Sequence, residues 1–198
     1  MVADMFKMVK MKDVIRIPPR MFSLPLEESA YLVLKEKLEG KIIKDLGLII
    51  DIIDVDVNPI GKITHGDGAV YHTATFNALV YAPVDKEVVE GEVIMVEDFG
   101  LLVRIGPIEG FIHKSQIHDD YFSYNREQSL MQGSKTGRII RKGDKVRARI
   151  VQISYSGITK MLKIGLTMRQ PYLGQLDWIE HDIRKAREMA KAAKGGEQ

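Results

Sequence analysis

The chain has no cysteine, so disulfides and thiolate metal sites are excluded and a reducing compartment is the natural setting. It also lacks a long apolar run. The richest stretch, LGLIIDIIDVDV, is strand-sized and is broken by Asp51, Asp54 and Asp56, so no segment is suited to span a membrane. The opening residues MVADMFKMVKMKDVIRI have no continuous apolar core of the signal-peptide kind, and a cytoplasmic location is expected. Catalytic signatures are missing too. No serine lies in a nucleophile motif, and Gly133-Ser134-Lys135-Thr136-Gly137 resembles a phosphate loop but lacks the Gly-Lys pair and its strand-to-helix setting. His65 with His72, and His113 with His118-Asp119-Asp120, are not framed by a helix at ligand spacing, so neither a metal nor any other cofactor is expected.

What is present is ordinary in bulk and uneven in detail. With 198 residues, 45% hydrophobic and 28% charged, the chain suits one large or two modest domains that fold without staples. The net charge is only +2, yet residues 1–85 carry −2, residues 86–125 carry −5 and residues 126–169 carry +9. Such a cationic segment is either a solvated face or a surface for a polyanion.

Residues 1–82 read as an α+β unit. A strand pattern runs to Ile17, followed by the turn Pro18-Pro19-Arg20 and an amphipathic helix with Pro25 at its start, Leu26, Ala30, Val33, Leu34 and Leu38 as its apolar stripe, and Gly40 at its end. The runs GLIIDIIDVDV and AVYHTATFNALVYAPV are rich in β-branched and aromatic residues and predict strands, separated by an Asn58–Gly61 turn and the loop His65–Gly68. A helix laid on an antiparallel sheet is expected.

Pro83 to Glu90 marks a restart, and residues 83–172 read as a β-barrel. The segments GEVIMVED, LLVRIG, GFIHKSQ, KVRARIVQIS and MLKIGLTM give five strands, the count of an OB fold, with Gly91, Gly100 and Gly110 where tightly coiled strands must bend. Period two turns Val93, Val96, Val103 and Ile105 inward and leaves Phe99, Leu102, Arg104 and His113 outside. Asp119 to Arg141 reads as a long polar insertion. Residues 173–198 read as a helix with Leu176, Ile179, Ile183, Ala186 and Ala190 near one face and a frayed tail.

The pattern Gly91-x-Val93-x-x-Val96-x-x-Phe99-Gly100-x-Leu102-Val103, then Gly110-Phe111-Ile112-His113-x-Ser115-x-Ile117, then Gly143-Asp144-x-Val146-x-Ala148, resembles the RNA-binding repeat of the ribosomal S-one type. In that family the positions of Phe99 and His113, with neighbouring basic residues, face RNA, and a second aromatic is common where this chain has Leu102. In the order VIRIPPRMF, PLEESAYLVLKEKLEG, KDLGLIIDIIDV, GDGAVYH and EVVEGEV, nearly the whole chain, residues 176–198 less closely, resembles the E-prime family of archaeal RNA polymerase stalk proteins. The resemblance implies a non-catalytic stalk component, with an N-terminal unit that docks on the polymerase core, the helical F subunit of RNA polymerase as heterodimer partner, and a barrel that binds nascent single-stranded RNA.

Phe99, Leu102, Arg104, His113, Lys114, Lys145, Arg147, Arg149, Lys163 and Arg169 are the RNA-binding candidates. Phe99 would stack on bases, and Arg147 and Arg149, alternating with Val146, Ala148 and Ile150, would meet phosphate beside it. Tyr121 and Arg126 of the insertion are weaker candidates. Lys44, Asp45, Gly47, His65, Gly66, Asp67 and Gly68 are the docking candidates, the Gly-Asp-Gly loop allowing close approach by another chain. Two rival readings stay open: a free-standing RNA-binding module of the exosome-cap or translation-initiation type, and a scaffold whose basic face binds an acidic protein. The absence of any Gly-x-x-Gly loop argues against a following KH domain of the exosome-cap kind.

Overall fold

A computed structural model describes residues 5–156 and 161–195, divided into two compact units between Pro83 and Val84. The side chain of Ala190 and the tail residues 196–198 lie outside the described residues.

The first unit opens with β1 (Phe6–Ile17), whose alternation sinks Ile15 and Ile17 and exposes Lys12, Val14 and Arg16. A 3-10 turn at Pro19–Met21 leads to α1 (Leu26–Leu38). Pro25 stands just before α1, where its missing N–H costs no hydrogen bond, and Glu27 and Glu28 complement the helix dipole. Ala30, Leu34 and Leu38 recur every four residues and are buried, while Gly40 leaves the helix at φ 72°. Next come β2 (Ile42–Ile43), β3 (Gly47–Val57), β4 (Lys62–Ile63) and β5 (Val70–Tyr81). The sheet runs β1-β5-β3-β2, every pair antiparallel, with β4 also on β5. Helix and sheet share one core of Ile15, Ile17, Leu34, Ile49, Ile52, Phe76 and Val80, each large side chain stabilising by about 1.5–3 kcal/mol on burial. The acidic interruptions of β3 fall at irregularities: the register slips between Ile49 and Asp51 and again between Ile53 and Asp56, and Asp54 takes φ 52°.

The second unit begins with β6 (Val88–Glu97), β7 (Gly100–Ile105) and β8 (Ile108–His113), antiparallel neighbours. Then follow β9 (Phe122–Asn125), β10 (Leu130–Gly133), β11 (Ile139–Arg141), β12 (Lys145–Ser156) and β13 (Met161–Thr167). Strand β13 pairs in parallel with β8 and also with β12, and β12 returns to β6, so the sheet β6-β7-β8-β13-β12 closes on itself as a five-stranded barrel. Val93, Leu101, Val103, Ile112, Val146, Ala148 and Ile150 fill it. A side chain at Gly91 would meet the Arg104 carbonyl, and one at Gly110 would strike Leu166, so both glycines serve close packing rather than turning.

The insertion is not the polar loop that its composition suggests. It is a three-stranded antiparallel meander, β9-β10-β11, with Phe122, Leu130, Met131 and Ile140 buried beneath it. Strands of three or four residues are too short to show a period, which is why composition outweighed pattern. Strand β14 (Gly174–Gln175) adds to β12 and leads into α2 (Leu176–Gly195). The first turns of α2 are held within this unit: Ile179 is buried, Trp178 stacks at 6.2 Å on Phe122, and Arg138 sits 5.3 Å over Trp178 while bonding both oxygens of Asp182.

Candidate nucleic-acid interface

The outward positions of β6, β7 and β8 form rows across the barrel. Met95 pairs with Leu102 and Leu102 with Phe111, while Gly100 stands opposite both Glu97 and His113. Phe99 occupies the β6–β7 turn, 59% exposed, its carbonyl accepting from the Lys114 amide. Its ring lies 5.8 Å from that of Phe111, tilted by 41°, and Phe111 meets His113 edge-on at 6.5 Å. Three rings thus form a continuous outward strip.

Phe111 was not among the sequence candidates. The pattern directs attention to position 102, which is leucine here, but the antiparallel register sets Phe111 directly across from it. Gly100 is what lets the Phe111 ring lie down, since any Cβ there would come within 2.7 Å of it. On β13, Gly165 pairs with Phe111, and a side chain there would press on Gln152 at 3.2 Å. The His113 ring is oriented as well. Its Nδ1 accepts from the Ser115 hydroxyl at 2.8 Å and from the Ser115 amide at 3.3 Å, which puts the proton on Nε2.

Beyond His113 a cleft of about 390 Å³ opens between the barrel and the meander, lined by Lys114, Tyr121, Lys135 and Arg169 among others. Lys114 and Arg169 are held by exposed carboxylates, Asp98 at 3.9 Å and Asp119 at 2.6 Å. Such pairs contribute at most about 1 kcal/mol and exchange readily with another anion.

The arginines of β12 lie elsewhere. Lys145, Arg147 and Arg149 pair in register with Glu92, Glu90 and Val88 of β6. Arg149 is therefore roughly 30 Å of strand from the Glu97 end of β6, so the expected arrangement of Phe99 beside these arginines does not hold. Arg147 is already bound to Glu90, at 2.7 Å, and the Nε of Arg149 is buried without a hydrogen-bond partner among the described residues. Arg104 stands between Glu92 and Glu109, and exposed Lys163 is next to Ile164 on β13. Arg126 is exposed in the β9–β10 turn. The +9 of the sequence is thus distributed around the barrel rather than gathered in one track.

In the first unit the docking candidates separate into two groups. Lys44, Asp45 and Gly47 form the β2–β3 turn next to Tyr81 at the far end of β5, and Gly47, at φ 105°, has the Tyr81 carbonyl where a side chain would be. His65, Gly66, Asp67 and Gly68 precede Val70 at the near end, roughly 36 Å of strand away. Asp67 is bound within its own unit: Arg16 bonds both its oxygens at 2.7 and 2.8 Å and the Tyr71 hydroxyl donates at 2.7 Å. The Arg16 and Tyr71 donors hold the Asp67 carboxyl well below the usual range. His72 is buried, its Nδ1–H donating to the Asn58 carbonyl. At this end Ile60 and Ile63 are 79% and 77% exposed, and Phe22 is exposed beside a small apolar groove.

Comparison with known proteins agrees with both units. Residues 83–157 match the family described as "S1 RNA binding domain", and residues 12–68 match "SHS2 domain found in N terminus of Rpb7p/Rpc25p/MJ0397". DNA-directed RNA polymerase subunit Rpo7 of Saccharolobus shibatae is 44% identical over 175 residues, spanning 88% of this chain and 97% of the relative. The Rpo7 of Sulfolobus acidocaldarius is 42% identical over 92% of this chain and 99% of its own length. DNA-directed RNA polymerase II subunit RPB7 of Saccharomyces cerevisiae is 25% identical over 82% of this chain and 94% of its own. An N-terminal helix-on-sheet unit followed by an S1 barrel, with this likeness along most of the chain, places the protein in the archaeal Rpo7, or E-prime, family of RNA polymerase stalk subunits.

Proposed function

We propose that this protein guides nascent single-stranded RNA across its barrel, while the N-terminal unit docks on the polymerase core and the helical F subunit of RNA polymerase completes a heterodimer. Nucleotidyl transfer belongs to the large subunits, and the complex works in the cytoplasm. Among the described residues no helix is long and apolar enough to cross a membrane. The observation that carries this reading is the strip of exposed Phe99 and His113 with half-buried Phe111 between them, backed by lysines and an arginine at one end. Rings take bases of any identity, which suits a transcript of any sequence, at about 1–3 kcal/mol per stacked base. Docking is assigned to the loop end of the first sheet, where Ile60, Ile63 and Phe22 add apolar surface to His65, Gly66 and Gly68. The Asp67–Arg16 pair, with the Ala69 amide donating to Asp67, shapes that loop.

The test is a filter-binding titration of single-stranded RNA with the full chain and with Phe99→Ala combined with Phe111→Ala. Weakening by tenfold or more supports the reading, and unchanged affinity contradicts it. Co-purification of the tagged chain with the large polymerase subunits and a small helical companion tests docking and pairing separately.

A further inference from the structure

The cleft beyond His113 holds a built feature that stacking alone does not require. The Gly133–Gly137 segment, which looked in the sequence like a failed phosphate loop, is the tight β10–β11 turn, closed by the Gly137 amide on the Gly133 carbonyl at 3.0 Å with Gly137 at φ 65°. It folds around one carboxylate. Asp120 accepts from the Tyr121 amide at 2.7 Å, the Lys135 amide at 3.1 Å, the Thr136 amide at 2.9 Å and the Thr136 hydroxyl at 2.7 Å. A side chain at Gly133 would sit 2.6 Å from that carboxylate, so the glycine is needed for the turn to close on it. The Thr136 and Lys135 donors, with the Tyr121 amide, hold the Asp120 carboxyl down at about 2, so its charge stays constant at any working pH.

The outcome of this construction is the place of Lys135. Its side chain is exposed, makes no ion pair among the described residues, and lines the cleft together with Lys114 and Arg169. One cation comes from the barrel end, one from the segment after β13 and one from the meander; of the two carboxylates that line the cleft, Asp120 is engaged by four donors of the turn and Asp119 pairs with Arg169 at 2.6 Å. We propose that this cleft is a phosphate clamp for the RNA strand as it leaves the stacked rings, with Asp120 acting as the positioning residue that sets Lys135 in the clamp. This rests on the RNA-binding reading above and adds to it a direction: the strand passes from the rings toward the meander, not toward the arginines of β12.

Electrostatics and positioning make opposite predictions for one substitution. Asp120→Asn removes a negative charge beside the site, so charge alone would tighten binding of a polyanion. Loss of positioning weakens it, because an amide cannot accept all four donors. With an oligouridylate of about 12 nucleotides as probe, the clamp predicts that Lys135→Ala weakens binding about fivefold at 0.1 M salt and lowers the log-log salt slope by about 0.7. Asp120→Asn should do the same, and Lys135→Ala added to Asp120→Asn should cost nothing further. Tighter or unchanged binding by Asp120→Asn in a folded protein overturns the positioning role. Unchanged affinity and slope for Lys135→Glu, an exposed change that leaves the fold intact, overturns the clamp even if Asp120→Asn does not fold. If Phe99→Ala with Phe111→Ala weakens binding while the clamp variants do not, the clamp fails and RNA binding stands. If neither set matters, the RNA reading itself fails.

Discussion

The two ends of strand β6 offer RNA very different surfaces. At the Glu97 end the barrel shows the exposed Phe99 ring beside half-buried Phe111, and the nearby cations either make no ion pair among the described residues or are held by exposed carboxylates. At the Val88 end it shows Arg147 bound to Glu90 and Arg149 partly buried. The sequence makes the second end look the stronger, because it counts charges; the fold makes the first the stronger, because it decides which rings remain available. Arg147 and Arg169 are both held in exposed pairs, at 2.7 and 2.6 Å, so what separates the two ends is the rings rather than the pairing.

On strand β7 adjacent residues face opposite ways. Leu101 is fully buried, so Leu101→Ala should cost about 2–5 kcal/mol in a denaturant titration. Leu102→Ala, on the outer face, should leave stability within about 1 kcal/mol. The next largest effect is on RNA. Phe99→Ala should lose about 1–3 kcal/mol of affinity, roughly 5- to 150-fold, whereas Arg147→Ala should stay within about threefold, since it breaks only an exposed pair with Glu90. Leu102→Phe, which puts a ring between Met95 and Phe111, should tighten binding by about fivefold in the same titration. The smallest effect is in acid. The Asp120 carboxyl is lowered in the fold, so its hold on the turn is complete above the ordinary carboxylate value and is lost as the pH falls through about 2. The amide resonances of Lys135 and Thr136 should therefore move with a midpoint near that value and remain flat at pH 4.

Much of this was legible in the residues. The five barrel strands and the inward Val103 and Ile105 follow from period and spacing, whereas Val93 and Val96, three apart, both turn inward because of the register shift between Val93 and Met95; of the helix stripe, Ala30, Leu34 and Leu38 are buried and Leu26 and Val33 only partly so. Features that depend on pairing between distant segments were not legible. Phe111 is prominent only because the β7–β8 register sets it against Leu102 and Gly100 makes room for it. Arg147 and Arg149 are set apart because β12 is long enough to pair with β6 at one end and reach β13 at the other. The Lys44 and His65 groups looked like neighbours in purpose, yet a twelve-residue strand separates them. The meander hid its core in four scattered residues.

Photocrosslinking single-stranded RNA containing 4-thiouridine to the protein, followed by mapping of the modified peptides, distinguishes the two ends of β6 most directly. Adducts concentrated between Phe99 and Ser115, with further ones at Tyr121 or Lys135, are the predicted result. Adducts confined to the peptide from Lys145 to Arg149 would contradict it.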